Sequence, residues 1–309
     1  MTSIGRALRL VALVAAGLAL GCDDGPTTTS SSGGPSTAST QGGGGVLRFS
    51  AIPDQNSTEL REKFDAVAKH LSEKLGVKVQ YVPATDYRAS VEMFKNGDIH
   101  LAWFGGLTGV QARQAVPGAR AIAQGDTDPK FISYFVAHKD APIQPSESFP
   151  QDLANLNFTF GPASSTSGRL MPEYYLRQAT KKSPAQFFGK EPAFSEGHDQ
   201  TLELVAAGKV QAGVVNFEVY DQRVANKKTD PNVVRVIWKT PQYVDYNFTA
   251  HPDLEKHFGA GFTEKLQAAL VAMDDPKLLS AFPRKELIPA KNEDYAQIEK
   301  VARELGFLR

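Results

Sequence analysis

The chain has 309 residues, of which 41% are hydrophobic and 22% are charged, and its 34 basic and 34 acidic residues give a formal net charge of zero. This balance, without a basic stripe or basic residues interleaved with aromatic ones, excludes a surface built for nucleic acid. The presence of one cysteine excludes a disulfide framework. A site for an anion must therefore be assembled locally.

The N-terminus predicts export. Two arginines precede an apolar run, residues 10–20, that is too short to span a bilayer, which is the layout of a secretory signal peptide. The run ends in "ALGC", which resembles the bacterial lipoprotein signal, although that signal usually has Leu where Ala19 stands. We predict that residues 1–21 are removed, that Cys22 is lipidated, and that the protein is periplasmic or lies on the outer face of the cytoplasmic membrane. The alternative is a secreted protein with an unpaired thiol.

The segment over residues 22–45 begins at the cysteine and continues with Ser, Thr, Gly and Pro as its dominant residues. Because it has too few apolar side chains to bury a core, we predict a disordered tether between the lipid anchor and a globular body. That body, residues 46–309, is long for one core and natural for two lobes.

Predicted strands and helices alternate along the body. A buried strand, "VLRFSAI", is followed by a helix that begins near Asn56, ends at Gly76, and has apolar residues at helical spacing. Further predicted strands are "VKVQYVP", "IHLAWF", "LNFTFGP", "VQAGVVN" and "VVRVIW", with a helix over 87–96 and a mostly helical region after Pro252. This alternation predicts an α/β fold made of two units whose sheets lean towards parallel.

Three motifs directly follow predicted strands, where open α/β sheets bind ligands: "WFGG", "SSTSG" and "NFE". In the second, Ser165, Thr166 and Ser167 offer three hydroxyl donors ahead of a helix that begins near Gly168. The helix start adds free N–H groups, and a glycine there allows close approach of the backbone. This pattern suits a tetrahedral oxyanion. The alternative is ordinary helix capping, with Ser167 as the cap.

Four stretches in order, "YVPATDYRASVEMFKNGDIHLAWFGG", "GPASSTSGRLMP", "GHDQTLELVAAGKVQAGVVN" and "VIWKTP", resemble the phosphonate-binding family of ABC-transporter periplasmic binding proteins. The resemblance covers nearly the whole body, and within the family the chain looks most like a branch named for selenate binding. It implies a type II periplasmic binding protein whose two lobes close on a ligand and deliver it to a membrane permease. We expect lobe 1 to hold residues 46–137 and 245–309, and lobe 2 to hold residues 138–244.

The resemblance also implies ligand contacts. Two carboxylates that receive the ammonium of aminoalkyl phosphonates in some relatives fall on Glu218 and Asp245, and Phe104 stands where the family often has Tyr. If both acids line the pocket, they favour a ligand that carries a hydrogen-bond donor. If they form salt bridges elsewhere, fully deprotonated selenate remains open. The family's phosphonate contacts fall on Tyr87, Ser165, Thr166, Ser167 and His198.

Patterns for catalysis are absent from the sequence. The serine loop lacks the Gly-x-Ser-x-Gly elbow, since Ala163 and Ser167 stand where the glycines around Ser165 would be. No metal-ligand spacing of histidines and no glycine-rich nucleotide motif appears. We therefore expect a monomeric binding protein, not an enzyme, without cofactor or metal, whose partners are a small oxyanion, an ABC permease and the membrane that holds its lipid. Two alternatives stay open: the ligand-sensing lobe of a signalling receptor, and a serine-dependent hydrolase.

Overall fold

The computed structural model describes residues 45–308. The predicted signal peptide, the lipidation site at Cys22 and nearly all of the tether lie outside the described residues. Eleven strands are found in the described part: β1 Val46–Ala51, β2 Lys78–Tyr81, β3 Leu101–Phe104, β4 Arg120–Gly125, β5 Ser133–His138, β6 Phe158–Phe160, β7 Ala193–Phe194, β8 Ala212–Asn216, β9 Val234–Lys239, β10 Asn247–Ala250 and β11 Leu287–Pro289.

The same part of the chain has eleven α-helices: α1 Ser57–Leu75, α2 Tyr87–Lys95, α3 Gly106–Ala115, α4 Met171–Thr180, α5 Pro184–Phe188, α6 His198–Ala206, α7 Phe217–Ala225, α8 Asp253–Phe258, α9 Phe262–Val271, α10 Pro276–Leu279 and α11 Ala296–Glu304. A wide helical turn of the π type, Thr166–Leu170, precedes α4. Within residues 45–308 no helix has both the length and the hydropathy that a membrane crossing requires.

The first helix shows how local sequence sets these bounds. The side-chain oxygen of Asn56 accepts hydrogen bonds from the N–H groups of Thr58 and Glu59, which caps the start of α1. Gly76 ends the helix in the left-handed conformation at φ 72°, which glycine adopts without steric cost. The predicted helix and both of its ends are thereby confirmed. Its apolar face is buried against the first sheet through Leu60, Phe64, Val67, Leu71 and Leu75.

The first sheet has six strands in the order β11-β4-β10-β3-β1-β2. Strand β1 pairs in parallel with β2 and β3, whereas β10 is antiparallel to both β3 and β4. We call the described residues that carry this sheet, 45–125 and 247–308, lobe 1. The α/β alternation places the carboxyl ends of β1 and β3, and the loops that follow them, at one edge of the sheet.

The second sheet has five strands in the order β7-β6-β8-β5-β9, and we call residues 133–239 lobe 2. Strand β5 pairs antiparallel with β8 and β9 along its whole length. The chain therefore passes from the first sheet to the second before Ser133. The predicted boundary between Ala137 and His138 is wrong because it falls inside β5. The other predicted boundary, at Asp245, lies between the last strand of lobe 2 and the next strand of lobe 1.

Two segments cross between the lobes, residues 126–132 and 240–246, and they are paired with each other. The N–H of Phe131 donates to the carbonyl of Tyr243 at 2.8 Å, and the reverse bond measures 3.0 Å. The N–H of Asp245 donates to the carbonyl of Asp128 at 3.1 Å, and Asp128 is bound through its side chain to buried Arg284 at 2.6 Å. This pairing fixes the place where the strand ends of both sheets meet.

Candidate functional site

The hydroxyl loop, Ser165–Ser167, lies just after β6 and is buried in all three residues. The Ser165 hydroxyl accepts the N–H of Gly168 at 2.9 Å, so Ser165 caps the π-type turn, and the alternative that made Ser167 the cap is wrong. The Ser167 hydroxyl is buried and has no hydrogen-bond partner among the described residues. One hydroxyl is therefore used for capping, and Ser167 is left with an unused donor.

The glycine after the loop is required by packing. A Cβ atom at Gly168 would lie 2.9 Å from the Cα of Gly161 and 3.1 Å from the His198 ring, closer than real Cβ atoms approach a backbone. The N–H of Gly161 also donates to the carbonyl of Gly168 at 2.9 Å. The sequence-based reason, close approach of the backbone to a ligand, is thus accompanied by a structural one. The absence of a side chain brings the loop against β6 and His198.

His198 opens α6 and is fully buried. Its Nδ1 accepts the main-chain N–H of Asn216 at 3.2 Å, so the ring hydrogen is carried by Nε2. That Nε2 lies 3.4 Å from the Ser165 hydroxyl. Burial lowers the pKa of His198 to about 3, which keeps the ring neutral. His198 therefore offers a neutral Nε2–H beside the hydroxyl loop.

Tyr87 comes from lobe 1, at the first position of α2, whose start is capped by Asp86. Its side chain is buried, and its hydroxyl has no hydrogen-bond partner among the described residues. Burial raises the pKa of Tyr87 well above its usual value, with the charges of Asp54 and Asp245 adding to the effect. The phenol therefore stays protonated and is a second unused donor.

Asp245 and Thr166 are held by consecutive amides at the start of α3. The N–H of Gly106 donates to Asp245 Oδ1 at 2.8 Å, and the N–H of Leu107 donates to Thr166 Oγ1 at 3.0 Å. Asp245 Oδ2 is buried without a partner among the described residues. Burial raises the pKa of Asp245 to about 7, and the bond from Gly106 opposes the rise. Asp245 therefore brings an unused oxygen to a site whose other free groups are donors.

Glu218 and Phe104, two further predicted positions, have other contacts. Glu218 Oε1 accepts the Thr127 hydroxyl at 2.9 Å and lies 4.0 Å from an Arg284 nitrogen. The Phe104 ring packs edge-on against Phe94 in the core of lobe 1, with centroids 5.6 Å apart. Among the described residues, no hydrogen bond joins Glu218 to the hydroxyl loop.

A cleft of about 710 Å³ is lined by both lobes, and of the predicted site residues only Tyr87 lines it. Tyr87 contributes from lobe 1, and Ser164 and Gly197, the neighbours of the hydroxyl loop and of His198, contribute from lobe 2. Arg169, which the sequence analysis did not assign to the site, bonds Glu173 at 2.5 Å and stacks over the Phe160 ring. Two further nitrogens of Arg169, Nε and Nη1, are buried without a partner among the described residues.

Tyr246, Asp54 and Asn216 also join the lobes, and of these only Asn216 stands in a motif noted above, "NFE". The Tyr246 hydroxyl donates to Asp54 Oδ2 at 2.8 Å and accepts the Asn216 side-chain amide at 2.9 Å. The sequence carried one weak signal for them, since Asp54 and Asn216 come at or just after the ends of buried strands.

The chain has two separate sheets, which are joined by two crossing segments, and a polar cleft lies between the two lobes. This arrangement defines a periplasmic binding protein of the two-lobed α/β type. The model of a family described as "ABC transporter, phosphonate, periplasmic substrate-binding protein" matches residues 49–295, and the chain belongs to that family.

Individual relatives agree with this assignment. The chain is 41% identical over 271 residues to the probable ABC transporter phosphite binding protein PhnD1 of Prochlorococcus marinus (strain MIT 9301), covering 85% of this chain and 91% of the relative. The solved structure of that PhnD1 in complex with methylphosphonate is similar with a TM-score of 0.80 at 40% identity, over 85% of this chain and 99% of the other. A binding protein component of an ABC phosphonate transporter from Pseudomonas aeruginosa, 21% identical, shares the fold with a TM-score of 0.72 over 83% of this chain and 85% of its own.

The protein is therefore a periplasmic substrate-binding protein of the ABC-transporter phosphonate family. Proteins of this kind bind and present a small solute without transforming it, so the chain is not an enzyme. The hydrolase alternative is thereby wrong.

Proposed function

We propose that the protein captures a tetrahedral phosphorus oxyanion with one exchangeable proton, namely phosphite or a short phosphonate, between its lobes. The observation that carries this proposal is Asp245 Oδ2, which is buried without a partner among the described residues, as are the hydroxyls of Tyr87 and Ser167. When Asp245 is ionised, its partner must supply a hydrogen, and an anion with a P–OH group supplies it; because burial raises the pKa of Asp245 to about 7, the protonated carboxyl at lower pH donates instead.

The donors around this oxygen suit the rest of such an anion. Tyr87 and Ser167 have hydroxyls without partners, and His198 holds an Nε2–H at the hydroxyl loop. Of the first-turn amides of the π-type turn, that of Gly168 is bonded to the Ser165 hydroxyl, and the earlier ones favour an anion. Each oxygen of a tetrahedral anion accepts more than one hydrogen bond, so these donors are matched without a positive side chain.

Asp245 also decides between ligand classes. Selenate and sulfate are fully deprotonated near neutral pH and offer acceptors only, so an ionised Asp245 facing them is left unpaired. A buried acceptor without a partner costs about 1–3 kcal/mol, and more when it is charged. This argument favours phosphorus oxyanions over the selenate suggested by the resemblance. The relatives' reported ligands, phosphite and methylphosphonate, support the same choice.

Binding shifts the protein from an open to a closed arrangement, and the closed form is the one that the permease reads. Lipidated Cys22 and the tether over residues 22–45 hold the monomeric body near that permease. Loss of membrane association after Cys22→Ser, with ligand binding intact in the released protein, is the expected result for the anchor. Unchanged membrane association contradicts it.

The ligand class is tested by thermal unfolding of the wild type and of Asp245→Asn with phosphite, methylphosphonate, 2-aminoethylphosphonate, phosphate, sulfate and selenate. A ligand at a hundred times its Kd stabilises the bound form by about 2.7 kcal/mol, which raises the midpoint. We expect phosphite or a phosphonate to raise the wild-type midpoint most.

The Asp245→Asn variant should reverse this preference, since an amide can donate to a fully deprotonated anion. A wild-type response to selenate or sulfate alone contradicts the proposal. If none of the six anions raises the unfolding midpoint, the alternative of a ligand-sensing lobe of a signalling receptor must be considered again.

A further inference from the structure

Four buried residues are joined in a closed ring by side-chain and main-chain hydrogen bonds beside the hydroxyl loop. Tyr246 donates to Asp54 Oδ2 at 2.8 Å and accepts from the Asn216 amide at 2.9 Å. The main-chain N–H of Asn216 donates to His198 Nδ1 at 3.2 Å, and the main-chain N–H of His198 donates to the Asp54 carbonyl at 2.9 Å. We call these four residues the clasp.

The clasp joins the two lobes. Asp54 follows β1 of lobe 1, and the ring of Tyr246 is packed into the lobe 1 core, where it stacks on Trp103 with centroids 5.4 Å apart. Asn216 and His198 belong to lobe 2. Two bonds of the ring therefore cross between lobes, from Asn216 to Tyr246 and from His198 to Asp54, and both are lost when the lobes separate.

The clasp also holds one group of the anion site. Both the backbone N–H and the ring Nδ1 of His198 are bonded within it, which turns Nε2–H towards the hydroxyl loop, where it donates to the Ser165 hydroxyl at 3.4 Å. The other three members have no bond to the hydroxyl loop among those found in the described residues. Their effect on a ligand must therefore act through His198 and through lobe closure.

We propose that Asp54, Tyr246 and Asn216 are positioning residues that hold the lobes closed on the bound anion and aim His198 at it without touching the anion themselves. This inference rests on the proposed function. It assigns to the clasp the rate at which ligand leaves, because opening must break both crossing bonds. It assigns no part of ligand choice to the clasp, because all anions share the same closed form.

Tyr246→Phe is the direct test, since it removes the hydroxyl shared by two clasp bonds and keeps the ring that stacks on Trp103. Leaving buried polar groups unpaired in the closed form costs about 1–3 kcal/mol, which corresponds to a loss of affinity of about 5- to 150-fold. We expect this loss to appear in the dissociation rate, measured by stopped flow with phosphite and with methylphosphonate. The ratio of the two affinities should stay as in the wild type.

Asn216→Ser is a second variant that keeps the fold. The Asn216 side-chain oxygen caps α7 by accepting the N–H groups of Glu218 and Val219, and serine caps helices about as well as asparagine. The substitution therefore removes the amide donor to Tyr246 while keeping a cap. Faster dissociation is again expected for Asn216→Ser. At Asp54, the variant Asp54→Asn retains an acceptor oxygen and should therefore keep more of the wild-type affinity than Asp54→Ala.

Tyr220→Phe is the matched control. Its hydroxyl donates to the Val234 carbonyl at 2.7 Å, so the bond lies wholly within lobe 2. This control should lower the unfolding midpoint of the unliganded protein and leave the dissociation rate unchanged. Tyr246→Phe also loses its bond to Asp54 within lobe 1, so it should lower the unliganded midpoint about as much as the control, but it should in addition speed dissociation.

A wild-type dissociation rate in Tyr246→Phe overturns the clasp while the proposed function stands. The clasp is also overturned, and the proposed function stands, if Tyr246→Phe and Tyr220→Phe have equal effects on both the unliganded midpoint and the dissociation rate. A general structural role then explains both variants. A wild-type protein that binds no phosphorus oxyanion overturns the proposed function, and the clasp with it.

Discussion

Thr166 and Asp245 receive hydrogen bonds from neighbouring amides of one helix, Leu107 N–H at 3.0 Å and Gly106 N–H at 2.8 Å. Thr166 belongs to lobe 2, whereas α3 belongs to lobe 1. The start of α3 therefore bonds the hydroxyl loop of the opposite lobe and the carboxylate that follows the crossing segment. The proposed anion site at the start of α3 is therefore built from groups of both lobes, which come together only when the lobes are closed.

Ser167→Ala should weaken ligand binding without weakening the fold. The Ser167 hydroxyl is buried without a partner among the described residues, so its loss removes no internal bond. In the complex, loss of a hydrogen bond to a charged ligand costs about 1.5–3 kcal/mol, or about 10- to 150-fold in Kd. Calorimetric titration with phosphite gives the Kd, and thermal unfolding without ligand gives the stability.

Ser164→Ala is the control for that prediction, since Ser164 directly precedes the hydroxyl loop and lines the cleft but is only half-buried. It should change Kd by less than Ser167→Ala. Equal affinity of the wild type and Ser167→Ala contradicts the assignment of the hydroxyl loop to the anion.

Gly168→Ala should damage both fold and site. The new Cβ would lie 2.9 Å from the Gly161 backbone and 3.1 Å from the His198 ring. Relief of these contacts requires the backbone at Gly161 or Gly168 to move, which shifts the hydroxyl loop. Overpacking of this kind costs about 1–3 kcal/mol. Gly106→Ala is the matched control, because its Cβ would find ordinary contacts at 3.4 Å. Denaturant unfolding should separate the two variants, and equal unfolding free energies contradict the packing argument.

Local pattern was enough to predict some of these features. Asn56 and Gly76 delimit α1 through caps that depend on residues within a few positions, and the hydroxyl loop was recognisable because it follows a strand and opens a helix. The residues of β5 could not be assigned to lobe 2 from pattern, because their partners in β8 and β9 lie far along the chain.

The clasp could not be predicted from the sequence for the same reason. Asp54 and Tyr246 are separated by 192 positions, and neither stands in a motif that indicates the other. Glu218 illustrates the converse case, since family position placed it at the ligand, whereas its carboxylate is bonded to Thr127 and faces Arg284. Which partner a carboxylate takes depends on tertiary packing, and the resemblance alone does not contain that packing.

Glu218→Gln should leave the affinity for phosphite within about twofold of the wild type. The amide oxygen can still accept the Thr127 hydroxyl, and the Arg284–Asp128 pair retains its bond of 2.6 Å. If Glu218 instead receives a ligand ammonium, the affinity for 2-aminoethylphosphonate should fall while that for phosphite is kept. Parallel titrations with the two ligands distinguish these outcomes, and Asp245→Asn serves as the variant in which phosphite binding is expected to fail.

Asp245 should also give the fold a measurable pH dependence. Burial raises its pKa from 3.8 to about 7, so the folded protein holds a proton that the unfolded chain releases across this range. Stability from this group is fully present below about pH 4, is lost as the pH rises to about 7, and changes little above that. His198, whose pKa burial lowers to about 3, acts in the opposite direction, so the comparison must be made with Asp245→Asn. The free energy of unfolding of the wild type relative to Asp245→Asn should fall from pH 4 to pH 7 in unliganded protein, and a difference that is flat or rises over that range contradicts the burial of Asp245.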